Sequence, residues 1–211
     1  MVALQQNPVS LGVLRDFVRA YRNVLSLNHL PKAIPYGAST TPRMDGSHNH
    51  GFVDLKAHLA NVASIPELTG DAALLDIISG INSPETGIFS IGCASTRVST
   101  ENGVCQSGYV EFAFNSASRV GECSHYFPLF FQFDRALHLN QFGGRVAFDW
   151  ELQPAMFLDA NVEGYSCAVF IGTEYMTSAP DAEAEWQTAL TVLALFLSSV
   201  RIDEVDRIYG A

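Results

Sequence analysis

The chain is short of charge, and shortest of positive charge. Asp and Glu number 22 against 12 Lys and Arg, and the four types together make up 16% of 211 residues, where a soluble domain usually carries about 25%. A formal charge of −10 without any cluster of basic residues argues against nucleic acid as a partner, because phosphate neutralisation needs grouped Lys and Arg. So thin a charged surface predicts that part of it meets another copy of the chain, and a homo-oligomer is expected.

Long apolar runs are missing as well. The longest uncharged stretch, Trp186 to Val200, has 15 residues, and a membrane span needs roughly 20. Met1 to Pro8 lacks a basic start, and the apolar stretch that follows is broken by Arg15, Asp16 and Arg19, which does not read as a secretory signal. No membrane association and a cytoplasmic location are the expectations. Cysteines 93, 105, 123 and 167 show no CxxC spacing, so free thiols are expected rather than a zinc ribbon or disulfides. No GxSxG elbow, P-loop or strand-following GxGxxG occurs, which leaves nucleotide hydrolysis and dinucleotide chemistry without support and predicts no organic cofactor.

Apolar residues, by contrast, are plentiful at 48%, with 14 Phe. Such a chain has the surface to offset the entropy of ordering. At this length roughly 70% of the unfolded surface can be buried without a metal or disulfide staple. With no repeat and no linker, residues 1–211 are read as one domain: N-terminal helices and a His-rich loop over 1–80, a sheet over 88–175, and a C-terminal helix over 180–201.

Leu11, Leu14, Val18, Tyr21 and Leu25 recur at helical spacing and predict a helix over 10–27. Residues 28–51, punctuated by proline and glycine, predict a long loop. Helices are expected from Val53 to Ala63 and from Asp71 to Ser79, the latter stopped by Gly80. From Ile88 the period becomes two, predicting strands at 88–99, 104–115, 126–134, 145–153 and 165–175. Asn102-Gly103 is a hairpin signal. If those two residues form the loop, Cys93 faces Phe112, Ile91 faces Phe114 and Ala94 faces Glu111. The face then holds Phe89, Ile91, Cys93, Val110, Phe112 and Phe114, in agreement with the apolar pattern. Asp181, Glu183 and Glu185 near Pro180, with Arg201 at the far end, suit the dipole of a closing helix. The fold class read from this order is α+β: an antiparallel sheet of about five strands over 88–175, packed on one face by N-terminal helices and a C-terminal helix.

Two regions could carry chemistry. The first is Arg43 to Gly51, where His48 and His50 in extended backbone project to one side. Asp54 and His58 follow four residues apart, as neighbours on a helix would. With Asp45 these residues offer an N/O set for a divalent metal at His48/His50, or a metal-free His/Asp site, or simply loop hydrogen bonds. The second is the polar sheet face, on which the register gathers Tyr109, Glu111, Gln132, Asp134, Asp149, Glu151 and Glu174. With few lysines to pair them, one such carboxylate could titrate high enough for acid–base work, the plain alternative being a solvated face.

Two functions follow as expectations. One is a small-molecule enzyme without organic cofactor, in a pocket between the 43–58 loop and the polar sheet face. In it Glu111, His48, His50 and His58 are the acid–base candidates, and Arg43, Arg97, Tyr109, Asp149 and Glu151 contact the substrate. The arginines suit a substrate carboxylate. The other is an acidic inhibitor or immunity factor that covers a basic protein partner, its association steered by charge.

Overall fold

The computed structural model describes residues 21–39, 41, 48–202 and 206–210. Six strands form one mixed sheet: β1 (Arg22–Leu27), β2 (Lys32–Ile34), β3 (Ile88–Thr100), β4 (Gly103–Phe114), β5 (Val146–Phe157) and β6 (Val162–Thr173). They run in the order β1-β5-β6-β4-β3, with β2 also on β5. The helices are α1 (Ala72–Ile81), the single turn α2 (Ala117–Val120), α3 (Phe127–Leu139) and α4 (Ala179–Leu197). The class is α+β, as the order of patterns predicts, but the sheet is neither five-stranded nor wholly antiparallel. None of the helices described is long and apolar enough to cross a membrane.

The extra strands come from a segment read as helix and loop. Of the predicted helix 10–27, residues 10–20 lie outside the described residues, and Arg22–Leu27 pairs in parallel with β5, Arg22 opposite Ala147 and Leu27 opposite Leu152. Lys32–Ile34 continues along the same edge, opposite Ala155 to Phe157. The unpaired backbone edge of β5 offers a ladder of hydrogen bonds that outweighs a local helical pattern, a tertiary override of propensity. The predicted helix Val53–Ala63 is reduced to a 3-10 turn at Leu59–Ser64 with no buried residue. Without an apolar stripe to bury, a helix there has little to hold it.

The strand expected at 126–134 is instead α3. Leu129, Phe131 and Phe133 fit a period of two, but Leu129, Phe133 and Leu137 are the buried residues and Phe131 is 64% exposed. Spacings i and i+4 satisfy both periods over a short window; only the continuation to Leu137 separates them. Pro128 sits in the first helical turn, where its missing N–H costs nothing. Gln132 and Asp134 therefore leave the sheet face to which the strand reading assigned them.

The β3–β4 hairpin forms with its turn one residue earlier than expected. Thr100 pairs with Gly103, so Glu101-Asn102 is the loop, and Cys93 faces Val110 rather than Phe112, while Ala94 faces Tyr109. A slip of two in the sum of partner numbers leaves every side chain on its expected face. Parity changes only where the register shifts between Ser90 and Gly92, a bulge that turns Phe89 to the opposite side. Cys93 and Cys105 lie far apart along the hairpin, and all four cysteines are free thiols.

Helices cover one sheet face. Val110, Phe112, Phe148, Trp150, Leu152, Cys167 and Val169 point into that layer with at most 1% exposure. Phe133 of α3 meets Phe148 at 5.1 Å and Phe196 of α4 at 5.3 Å between ring centroids. Asp71 joins two helices with one carboxylate: one oxygen accepts from Leu74 N–H at 2.9 Å and caps α1, and the other accepts from the Trp186 indole N–H of α4 at 2.9 Å. The α4 start is capped by Ser178, which accepts from Asp181 N–H, and Arg201 donates to the Ser198 carbonyl at its end, as the charge pattern predicts.

Among the described residues, the other face is packed with aromatic side chains at one end. There Phe89, Phe52 and Tyr209 stack, with Phe89–Tyr209 at 4.8 Å and Phe89–Phe157 at 6.1 Å. Asn115, 2% exposed, pins the C-terminal segment over this cluster. Its amide donates to the Tyr209 carbonyl at 2.9 Å, and its oxygen accepts from Ile208 N–H and Tyr209 N–H at 3.1 and 2.8 Å. With three hydrogen bonds at about 0.5–1.5 kcal/mol each, Asn115→Ala is expected to lower stability by about 2–3 kcal/mol in urea unfolding. An unchanged midpoint would show that the segment adds nothing to the core.

Candidate functional site

The remaining end of that second face is ordered in rows by the strand register. One row reads Ala94, Tyr109, Phe170, Asp149 across β3, β4, β6 and β5. The row toward the hairpin turn reads Thr96, Ser107, Gly172, Ala147. The row toward the aromatic cluster reads Gly92, Glu111, Ala168, Glu151. Tyr109 and Phe170 are thus direct cross-strand neighbours, ring centroids 5.7 Å apart and tilted by 43°. Small residues flank them, and Phe170 is 43% exposed. A large aromatic side chain left in the open amid small and hydroxyl residues is a surface shaped for contact.

The His-bearing segment closes over this floor. Ser39 N–H donates to the Asn49 carbonyl at 2.8 Å and Phe52 N–H to the Tyr36 carbonyl at 3.0 Å. Residues 36–39 and 49–52 are thereby paired back to back. Gly51 makes the turn possible: its φ is +88°, and a side chain there would sit 2.9 Å from Ala38 N, so both the left-handed backbone and the close approach favour glycine. The Asn49 side chain accepts from Gly51 N–H at 2.9 Å, while His48 and His50, one residue either side, both face the floor. Segment and floor enclose a cleft of about 940 Å³ lined by His48, His50, Glu67, Tyr109, Asp149, Phe170 and Arg22, with hydroxyls from Thr69, Thr96, Ser107 and Thr173.

The acids of the sheet face are not left unpaired. Arg22 pairs with Asp149, Lys32 pairs with Glu111, and the Asn28 amide donates to Glu151 at 3.0 Å. All three partners belong to the segment that forms β1 and β2, so the pairing requires the parallel strands that a helical reading of 10–27 cannot supply. Lys32 is one of only two lysines in the chain. Burial pulls its ammonium down to about 8, against the opposing pull of the Glu151 carboxylate. The other, Lys56, donates to the Ser83 carbonyl at 2.6 Å and the Thr86 carbonyl at 2.8 Å. Burial, and then the charge of Arg207, bring it down to about 8 as well.

Of the acid–base candidates, His48 and His50 line the cleft. Glu111 is 8% exposed, is held by Lys32, and does not line it. His58 is exposed at the entry to the 3-10 turn Leu59–Ser64, away from the cleft. Among the substrate-contact candidates Tyr109 and Asp149 line the cleft, whereas Glu151 stands one row below, bound to Asn28. Arg97 pairs at 2.7 Å with Glu183 of α4, on the helix-covered side, and Arg43 lies outside the described residues. Glu174 is exposed just beyond the end of β6.

Asp54 caps Ala57 N–H at 3.1 Å and does not join the histidines, and Asp45 lies outside the described residues. Among the described residues no three His, Cys, Asp or Glu side chains come together to hold a metal ion. Residue patterns gave no warning of Arg22, Glu67 or Phe170 in the cleft. Phe170 carried a legible signal, a bulky aromatic at a position whose strand neighbours on that face are small. Arg22 and Glu67 carried none, since each depends on where a distant segment docks. Comparison with protein-family models, curated proteins and solved structures returns no match.

The paired charges are testable. Lys32→Met leaves the Glu111 carboxylate buried and uncompensated, and a broken buried pair costs about 3–5 kcal/mol. Lys32→Met with Glu111→Leu should recover most of that loss in urea unfolding; a double variant as weak as the single one would remove the pair from the account of stability.

Stability should also show a distinct alkaline profile. Between the folded value of about 8 and the ordinary lysine value of 10.5, Lys32 and Lys56 bind fewer protons folded than unfolded, so their contribution to stability rises with pH in that window. Cys93 is pushed up from 9.0 to about 12 and Cys167 is raised further, both mainly by burial. Their contribution is present below pH 9.0 and is lost as pH climbs above it. Stability is therefore expected to rise from pH 8 and turn over above about 9, and urea midpoints at half-unit steps would reveal it. A monotonic fall from pH 8 would contradict the lysine assignment.

Proposed function

We propose that the protein binds a small organic molecule in the cleft between residues 48–50 and the polar end of the sheet, and acts on it by acid–base chemistry. The observation that supports this best is convergence. Five separate segments of the chain bring Arg22, His48 and His50, Glu67, Tyr109 and Asp149 around one space of about 940 Å³, the size range of small-molecule sites. Imidazole can both give and take a proton, so His48 and His50 are the acid–base pair of this reading. Tyr109, Asp149 and Arg22 hold and orient the substrate. Glu111 takes a positioning role, since its ion pair anchors β2 beside the cleft. The alternative of an acidic protein covering a basic partner draws no support from this face, where Asp149, Glu111 and Glu151 are engaged within the chain.

A thermal-shift screen of small polar metabolites tests the binding. A ligand at a hundredfold its Kd stabilises by about 2.7 kcal/mol, a rise of roughly 5–10 °C at this chain length. Tyr109→Ala should abolish the shift. Both histidines are exposed, so the double variant His48→Ala/His50→Ala should fold normally and lose about 10²–10⁴-fold in turnover of any substrate so found. Turnover at the unmodified rate would end the acid–base assignment, and a screen with no Tyr109-dependent shift would end the binding reading.

A further inference from the structure

Behind Tyr109 the cleft adjoins a second, smaller space. This chamber has about 190 Å³ and shares His50, Pro66, Glu67 and Tyr109 with the cleft. Its own walls are more apolar, with Tyr36, Leu55, Ile65, Ile78, Ile91 and Cys93 beside the polar Asn49, Ser64 and Ser90. Leu55, Ile78 and Ile91 belong to the buried core, so part of the chamber wall is packed apolar structure, while Val53 and Ser64 of its lining are exposed. A cavity of roughly 150 Å³ lined by such residues takes up one benzene-sized ring.

The wall at Tyr109 that the two spaces share, their neck, is shaped by the bulge in β3. The register shift between Ser90 and Gly92 leaves Ile91 as the extra residue, and Tyr36 Oη donates to the Ile91 carbonyl at 2.9 Å. Bulges re-aim backbone and side chains next to sites. Here the bulge turns Gly92 toward the neck, where a Cβ would lie 2.9 Å from Tyr36 Oη and 3.5 Å from Tyr109 Oη. Two tyrosine hydroxyls therefore converge on the one residue of that strand without a side chain. A side chain at position 92 would crowd both hydroxyls, one of them on Tyr109, which lines both spaces.

We propose that the chamber seats an aromatic ring of about benzene size, and that the ligand of the cleft is an aryl compound whose polar tail lies among His48, His50 and Arg22. The assignment rests on the small-molecule reading of the cleft and adds the substrate class. The chamber wall supplies aromatic edges from Tyr36 and Tyr109, which suit a ring at offset or edge-on geometry, together with a sulfur at Cys93. That thiol, pushed up to about 12 mainly by burial, stays neutral, which leaves Glu67, shared with the cleft, as the one carboxylate of the chamber lining. The cleft beyond offers the opposite chemistry in His, Arg, Asp and hydroxyl groups. One molecule with two unlike ends matches both.

Ligand-observed NMR on the full chain tests it with 3-phenylpropionate and 4-phenylbutanol against the ring-free propionate and butanol. The ring-bearing probes should bind the unmodified protein and the ring-free ones should not. Ile65→Trp fills the chamber from a half-buried wall position, and Gly92→Ala narrows the neck. Each should weaken ring binding by about tenfold or more, with unfolding midpoints read in parallel to verify folding. Undiminished ring binding in both folded variants, or no ring binding in the unmodified protein, overturns the proposal. A polar ring-free molecule whose binding depends on His48 and His50 but not on Ile65 also overturns it, while leaving the cleft reading intact.

Discussion

The ion pair between Lys32 and Glu111 carries more of this structure than its size suggests. A carboxylate that is 8% exposed in a sheet face cannot stand uncompensated, and desolvation makes its partner obligatory. In a chain with two lysines that partner must be delivered from elsewhere. It arrives on β2, and the docking of β2 and β1 along the edge of β5 brings with it Asn28 for Glu151 and Arg22 for Asp149. The strands that dock on the open backbone edge of β5 thus also neutralise the sheet face. They also fix the start of the segment that runs on to His48 and His50.

From that docking the cleft follows. Residues 36–39 leave β2 and pair with 49–52, which suspends the two histidines above Tyr109 and Phe170. Below them the sheet face is divided by its own composition. Toward the C-terminal segment it is filled by Phe89, Phe52 and Tyr209, and toward the β3–β4 turn it is floored by alanine, glycine, serine and threonine. Large residues close one end and small residues leave room at the other. The bulge at Ile91 marks the border, since it exchanges the faces of β3 just where packed core gives way to open cleft.

Much of the fold was readable along the chain, for local reasons. The β3–β4 hairpin, β5, β6, α1 and α4 each carry a period, a cap or a turn that few competing structures satisfy, and each lies within a few residues of its expected position. The errors share one cause. Leu129, Phe131 and Phe133 satisfy two periods at once, and the window that separates them extends to Leu137. Arg22–Leu27 has a helical spacing that carries no record of an open strand edge more than a hundred residues away. Of the site, His48 and His50 were legible because HxH in extended backbone has one geometric outcome, and Tyr109 with Asp149 because alternation assigns a face. The role of Glu111 was not, because its neighbours in sequence say nothing of Lys32.

By itself, then, the sequence determined which face of β4, β5 and β6 is apolar, where the β3–β4 hairpin turns to within one residue, and where the long helices are capped. All of these depend on backbone geometry over a few residues. Only the tertiary structure decided which acids are neutralised, which carboxylate is buried, and whether the polar face meets water or a walled space. Those outcomes depend on distances between segments that are remote in the chain, and charge in particular has its consequences set by what lies across the gap. The scarcity of lysine and arginine therefore does not leave an acidic surface on this face of the sheet. It leaves two cations there, Arg22 and Lys32, each committed to a particular carboxylate, and a cleft beside them.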